Sequence, residues 1–150
     1  MRSVVQRVAR ASVIVEGEVV GAIERGLLAF VAMLEGDADE DITWMQHKLR
    51  TLRVFDDAAG KMNRAVGDVG GALLIVSQFT LAADIGKGAR PSFVRAMPPE
   101  GARKALERFI AGLRTDLRVE SGRFGADMRV DLLNDGPVTL WLDSKSRGKE

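Results

Sequence analysis

Leu73-Leu74-Ile75-Val76-Ser77-Gln78-Phe79-Thr80-Leu81 is an apolar run that turns polar at its far end. Four aliphatic residues in succession predict a strand buried on both faces rather than one exposed along a single surface. Where that strand leaves the core, Ser77, Gln78 and Thr80 place two hydroxyls and an amide. Such groups either bond to neighbouring backbone or face a ligand, so the end of the strand is the first candidate site.

Working back towards the start, the chain reads as strands. Val4, Val8, Val13 and Val15 belong to β-branched runs, Glu16-Gly17-Glu18 supplies a hairpin turn, and Val19 to Ile23 returns. Gly26 introduces a further strand, Leu27 to Leu34, closed by Glu35-Gly36-Asp37. A meander of this kind needs a second layer over its apolar face. Ile42, Met45, Leu49 and Leu52 fall on one stripe of a helix predicted over about residues 39 to 52, with Asp37 or Asp39 as its cap. His47 lies well around that helix, beside Gln46 and Lys48, and reads as a solvated residue.

Between helix and central strand, Asp56 to Asn63 is rich in turn formers, and Gly67, Gly70 and Gly71 follow. The G-x-x-x-x-G-K-[ST] spacing of a phosphate cradle is missing, so these glycines read as tight turns around a sheet. After the strand, Ala82 to Phe93 is a long irregular loop carrying Lys87 and Arg90, the kind of segment that often carries function. Pro98-Pro99 opens a second helix, with Ala102, Ala105, Leu106, Phe109, Ile110 and Leu113 on its buried face. Ser121-Gly122-Arg123-Phe124-Gly125 forms a glycine-flanked turn before an alternating strand at Met128 to Leu132. A break at Asn134-Asp135-Gly136-Pro137 precedes another strand, Val138 to Leu142. The Gly136-Pro137 bond is the chain's best candidate for a special backbone geometry, because only a bond before proline reaches cis at a cost of about 0.5 to 1 kcal/mol.

Composition sets the outer limits. With 150 residues the chain is the size of one domain, and 46% hydrophobic with 29% charged residues is the balance of a globular protein, not a disordered one. The longest apolar run, Leu27 to Leu34, is too short to cross a bilayer, and the start lacks a signal peptide's hydrophobic core, so a cytoplasmic location without membrane attachment is expected. No cysteine and a single histidine exclude disulfides, thiolate sites and multi-histidine metal sites, and no metal or cofactor is expected. A formal charge of +1 leaves nucleic-acid binding to local basic patches.

Five strings are recognisable together: Met1-Arg2 with Val4-Val5-Gln6-Arg7-Val8; Gly60-Lys61-Met62-Asn63; Ser77-Gln78-Phe79-Thr80-Leu81; Lys87-Gly88 with Arg90-Pro91-Ser92-Phe93; and Asn134-Asp135-Gly136-Pro137-Val138-Thr139. Taken in this order, from Met1 to about Ser144, they resemble the D-aminoacyl-tRNA deacylases. Ala65, and Ala105 with Leu106, depart from that pattern outside the two longest strings.

The resemblance implies an α+β homodimer, with mixed β-sheets forming a barrel-like or sandwich core and two packed helices. It implies one deacylase domain over residues 1–144, and the polar residues 145–150 that follow are expected to fray. The implied reaction is hydrolysis of the ester between a D-amino acid and the terminal adenosine of tRNA, with glycyl-tRNA as a second substrate and no DNA partner. Catalysis then falls to Ser77, Gln78, Phe79 and Thr80, with backbone amides near Phe79 and Thr80 as an oxyanion hole. Either water attacks, helped by the RNA's own hydroxyl, or Ser77 or Thr80 is the nucleophile. Substrate binding and chiral selection fall to Gly136, Pro137, Val138, Thr139, Arg7, Phe124, Gly125, Ala126 and Met128. In that scheme a cis Gly136-Pro137 pair reaches into the partner's site and shuts out L side chains, with Arg7 as its brace. Lys87, Arg90 and Arg95 are the implied tRNA contacts. An RNA-binding module without catalysis, using Lys87, Arg90, Arg95 and Arg123 on phosphates, is the alternative.

Overall fold

The computed structural model describes residues 1–148. Its organising element is β1 (Arg2–Val15), which pairs antiparallel with three other strands. Along one edge it meets β8 (Arg129–Asp143) over its whole length. Its other edge is shared by β3 (Gly26–Ala32), opposite residues 2–8, and β2 (Glu18–Ile23), opposite residues 11–15. Glu16 and Gly17, both at positive φ, turn β1 into β2 as the hairpin signal predicts.

The central strand is β6 (Ala72–Ser77), parallel to both β3 and β7 (Val119–Ser121). Parallel neighbours require long crossovers. The first carries α1 (Asp39–Thr51) and the small hairpin of β4 (Phe55–Asp56) and β5 (Met62–Arg64); the second carries α2 (Pro99–Leu113). The sheet curls until β2 approaches β7, where a methyl on Gly21 would lie 2.5 Å from the Ser121 carbonyl oxygen. Only glycine fits that approach, and the result is a nearly closed barrel-like mixed sheet with two helices against one side.

β6 is buried on both faces, as its composition predicts. Leu73 and Ile75 point to the helices, packing with Ile42, Met45, Leu49, Phe109 and Leu113, whereas Leu74 and Val76 point into the barrel with Val8, Val13 and Leu28. The stripe of α1 packs as expected, Leu52 included, and His47 is exposed.

Four expectations are corrected. Ala38, not Asp37 or Asp39, is the N-cap of α1. Asp37 is occupied elsewhere, accepting from the Leu34 amide at 2.7 Å and the Met1 α-amino group at 2.6 Å. The residues at 134–137 do not separate two strands: β1 holds β8 on both sides of them, with Gln6 opposite Thr139 and Val8 opposite Asn134, so they bulge out of one continuous strand. β3 ends at Ala32 rather than Leu34. The start of the expected frayed tail is anchored: Ser144–Ser146 forms a 3-10 turn and the Lys145 ammonium lies 2.7 Å from Asp41, while 149 and 150 lie outside the described residues. Among the described residues no helix is long and apolar enough to cross a membrane.

Candidate active site

Beyond Ser77 the chain leaves β6 and tightens into a 3-10 turn, Phe79–Ala82. Gln78 is anchored first, its amide donating to the Val31 carbonyl at 2.8 Å. The Leu81 amide returns to the Gln78 carbonyl at 3.2 Å. The amides of Phe79 and Thr80 stand ahead of that first turn bond and, among the described residues, donate to no backbone carbonyl. The Gln78 side-chain amide donates to the Thr80 hydroxyl at 2.5 Å, so two of the three polar side chains are tied to each other.

This strand end opens into a cleft of about 560 Å³. Ser77, Gln78 and Phe79 line it together with Phe124, Gly125, Ala126 and Met128, whereas Thr80, exposed on the 3-10 turn, does not. Phe93, from the long loop, stands edge-on to Phe79 with ring centres 5.1 Å apart. Both rings are substantially exposed, which leaves an aromatic edge at the mouth of the cleft. Met33, Met97, Pro98 and Pro99 also line it, and no local sequence signal points to them. No lining residue carries a titratable side chain. The cleft therefore offers an incoming group backbone amides, one hydroxyl, one carboxamide and apolar surface, but no acid or base.

The second group of expected site residues lies elsewhere. Arg7 donates from Nε to the Asp135 carbonyl at 3.1 Å and from Nη1 to the Val54 carbonyl at 2.6 Å, pinning the bulge of β8 to the start of β4. Asn134 closes the bulge from inside, donating to the Arg7 and Val138 carbonyls at 3.0 and 3.1 Å. The Gly136-Pro137 bond is cis, and both residues are exposed at the tip. Val138 packs against the helical core, and Thr139 accepts from Gln6 at 3.2 Å. Neither Arg7 nor any residue from 136 to 139 lines the cleft of its own chain. Lys87, Arg90 and Arg95 are exposed on the loop between the 3-10 turn and α2, also outside the cleft lining.

No group of three or more His, Cys, Asp or Glu side chains capable of holding a metal exists among the described residues.

A family model described as D-Tyr-tRNA(Tyr) deacylase matches residues 4–143. A D-aminoacyl-tRNA deacylase of Desulfitobacterium hafniense is 56% identical over 146 residues, covering 97% of this chain and 98% of its own. One from Thermotoga petrophila is 53% identical over 96% of this chain and 97% of its own. Among solved structures, a c-Myc DNA Unwinding Element Binding Protein superposes with a TM-score of 0.91 at 42% identity, covering 95% of this chain and 98% of that one. A probable eukaryotic D-amino acid tRNA deacylase, at 18% identity, shares the fold with a TM-score of 0.80 over 94% of this chain and 97% of that one. With the match running through both the strand end at Ser77 and the bulge at Gly136, the chain belongs to the D-Tyr-tRNA(Tyr) deacylase family and is a hydrolase.

Proposed function

We infer that the protein hydrolyses the ester joining a D-amino acid to the terminal adenosine of tRNA, releasing free D-amino acid and intact tRNA. The observation that carries this reading is the cleft itself: large enough for an aminoacyl nucleoside, edged by two aromatic rings, and free of any acid or base. An ester on a ribose hydroxyl is activated already, so positioning and charge stabilisation suffice. Water adds to the ester carbonyl carbon, and the developing oxyanion is held by the Phe79 and Thr80 amides. The carbon–oxygen bond to the ribose then breaks, and the ribose oxygen takes the proton. With no base among the lining side chains, the vicinal ribose hydroxyl of the substrate directs the water.

Chirality is selected by the bulge of a second copy. In a homodimer the exposed Gly136-Pro137 tip enters the partner's cleft, where its carbonyls hold the α-amino group and leave no space for an L side chain. Its exposure, its bracing by Arg7 and its absence from the cleft of its own chain support this arrangement. Glycine has no side chain to exclude, so glycyl-tRNA is a substrate too. Lys87, Arg90 and Arg95 contact the tRNA, and the reaction takes place in the cytoplasm.

The name of the 42% identical solved structure favours a second reading, in which the chain binds DNA without turnover. One assay separates the two. Purified protein incubated with matched D- and L-aminoacyl-tRNA is expected to release free D-amino acid over many turnovers and to leave the L ester largely intact. Equal rates on the two enantiomers, or protection of both, would overturn the deacylase reading.

A further inference from the structure

A second cleft, of about 360 Å³, lies on the other side of Ser77, between α2 and the segment following β7. Ser77, Leu106 and Phe124 line both clefts, so these three side chains form a shared wall. The chemistry on the two sides differs. The main cleft has no charged lining residue, whereas the second carries Arg103, Glu107 and Arg123. Arg103 is already engaged, its guanidinium meeting Glu100 and Glu107 at 2.8 Å each. Arg123 is exposed and forms no salt bridge among the described residues. The lining thus carries one uncompensated positive charge beside an apolar floor of Ile75 and Ile110. A free guanidinium in a cleft that also carries the Phe124 ring suits a phosphate that carries a flat base.

We propose that this second cleft is the subsite for the nucleotide preceding the terminal adenosine of an aminoacylated RNA end, with Arg123 on the linking phosphate. The proposal rests on the deacylase reading. With the ester at Ser77 to Thr80 and the terminal nucleoside in the main cleft, the RNA backbone must leave over the rim. The wall at Ser77 and Phe124 is a part of that rim that borders a second, cationic cleft. Lys87, Arg90 and Arg95 line neither cleft, so their contacts lie further along the RNA. A contact to a phosphate that takes no part in the reaction binds ground and transition states alike, and it governs KM rather than kcat. Arg123 is accordingly a binding residue.

The test compares two substrates bearing the same D-amino acid: D-aminoacyl-tRNA, and 3′-O-D-aminoacyl adenosine, which has no phosphate. Arg123→Ala is expected to raise KM for the tRNA about tenfold with kcat kept, the loss of one charge-assisted bond. The slope of log kcat/KM against log salt should flatten by about 0.7, as for one phosphate contact on a single strand. Neither constant should change on the nucleoside ester. Arg123→Lys, which keeps the charge and loses the fork, should recover part of the tRNA affinity. No effect on the tRNA substrate, or equal effects on both substrates, would overturn the subsite while wild-type turnover keeps the deacylase reading intact. Failure of the wild type on both substrates would instead overturn the deacylase reading and the subsite with it.

Discussion

The Lys145 ammonium stands 2.7 Å from Asp41 Oδ2, joining the residue just past the end of β8 to the first turn of α1. Asp41 is buried and also accepts from the Ser144 hydroxyl at 2.6 Å and the Ala38 amide at 2.9 Å. Burial pushes its carboxyl up, but the Ala38, Lys145 and Ser144 donors outweigh burial and hold it well below the ordinary 3.8. A carboxyl depressed in the folded state contributes stability that is fully present above its unfolded value and is lost as pH falls through the folded one. The free energy of unfolding should therefore decline progressively below about pH 4. Asp41→Asn should lose part of that acid dependence and be less stable at neutral pH by about 2 kcal/mol. Urea midpoints at neutral and acidic pH check both points, and parallel acid profiles in the two proteins would remove Asp41 from this role.

The absence of any acid or base from the lining of the main cleft makes a side-chain nucleophile expensive to activate. Ser77→Ala is expected to cost about tenfold in kcat, far short of the roughly 10⁴- to 10⁶-fold loss that follows removal of a true serine nucleophile or its partners. His47, exposed on α1, should be replaceable by alanine with less than about twofold change, and chelators should leave the rate unaltered. A bell-shaped pH profile of kcat with a limb abolished in His47→Ala would overturn this account.

Gly136 has φ of 129°, and a methyl there would stand 2.9 Å from both Arg7 Nη2 and Val138 Cγ2. Gly136→Ala should displace the tip of the bulge and lower both the D-directed rate and the D to L ratio, each roughly tenfold. Mixed dimers locate the effect. A Gly136→Ala subunit paired with one disabled in the Ser77 to Thr80 segment should retain about half of wild-type activity if the tip acts on its partner, by twofold symmetry. Near-zero activity would mean that each tip serves its own subunit.

Ser3 is fully buried on β1, and its hydroxyl is the one buried side-chain polar atom without a partner among the described residues. Ser3→Ala removes an unsatisfied group at little cost in volume. The expected result is a gain of up to about 1 kcal/mol in thermal or urea unfolding with deacylation unchanged. A loss of stability would point to an ordered water holding that hydroxyl.

Legibility from sequence followed the range of the physical signal. The aliphatic run of β6 and the stripes of α1 and α2 are local periodicities, and packing honours them residue by residue. At β8 the local signal misleads, because Asn134-Asp135-Gly136-Pro137 is a strong turn former, whereas the strand's continuity comes from pairing with β1, more than a hundred residues away. β7, three residues long, carries too little pattern to be seen. One wall of the main cleft is legible as polar residues, Ser77 and Gln78, ending an apolar strand. Its other wall, Met33, Met97, Pro98 and Pro99, is assembled by the loop after β3 and the entry to α2, which only the folded chain brings together.

Because β1 pairs along its length with β8, it leaves the ribosome long before its partner strand does. Arg2 meets Asp143, which lies 141 positions further along the sequence, and until residues 129–143 emerge the nascent chain carries an open β edge fourteen residues long. Topology of this kind folds slowly and invites pairing with the wrong partner. A polysome translating this message therefore displays many such edges side by side, each open to the same edge on a neighbouring nascent chain.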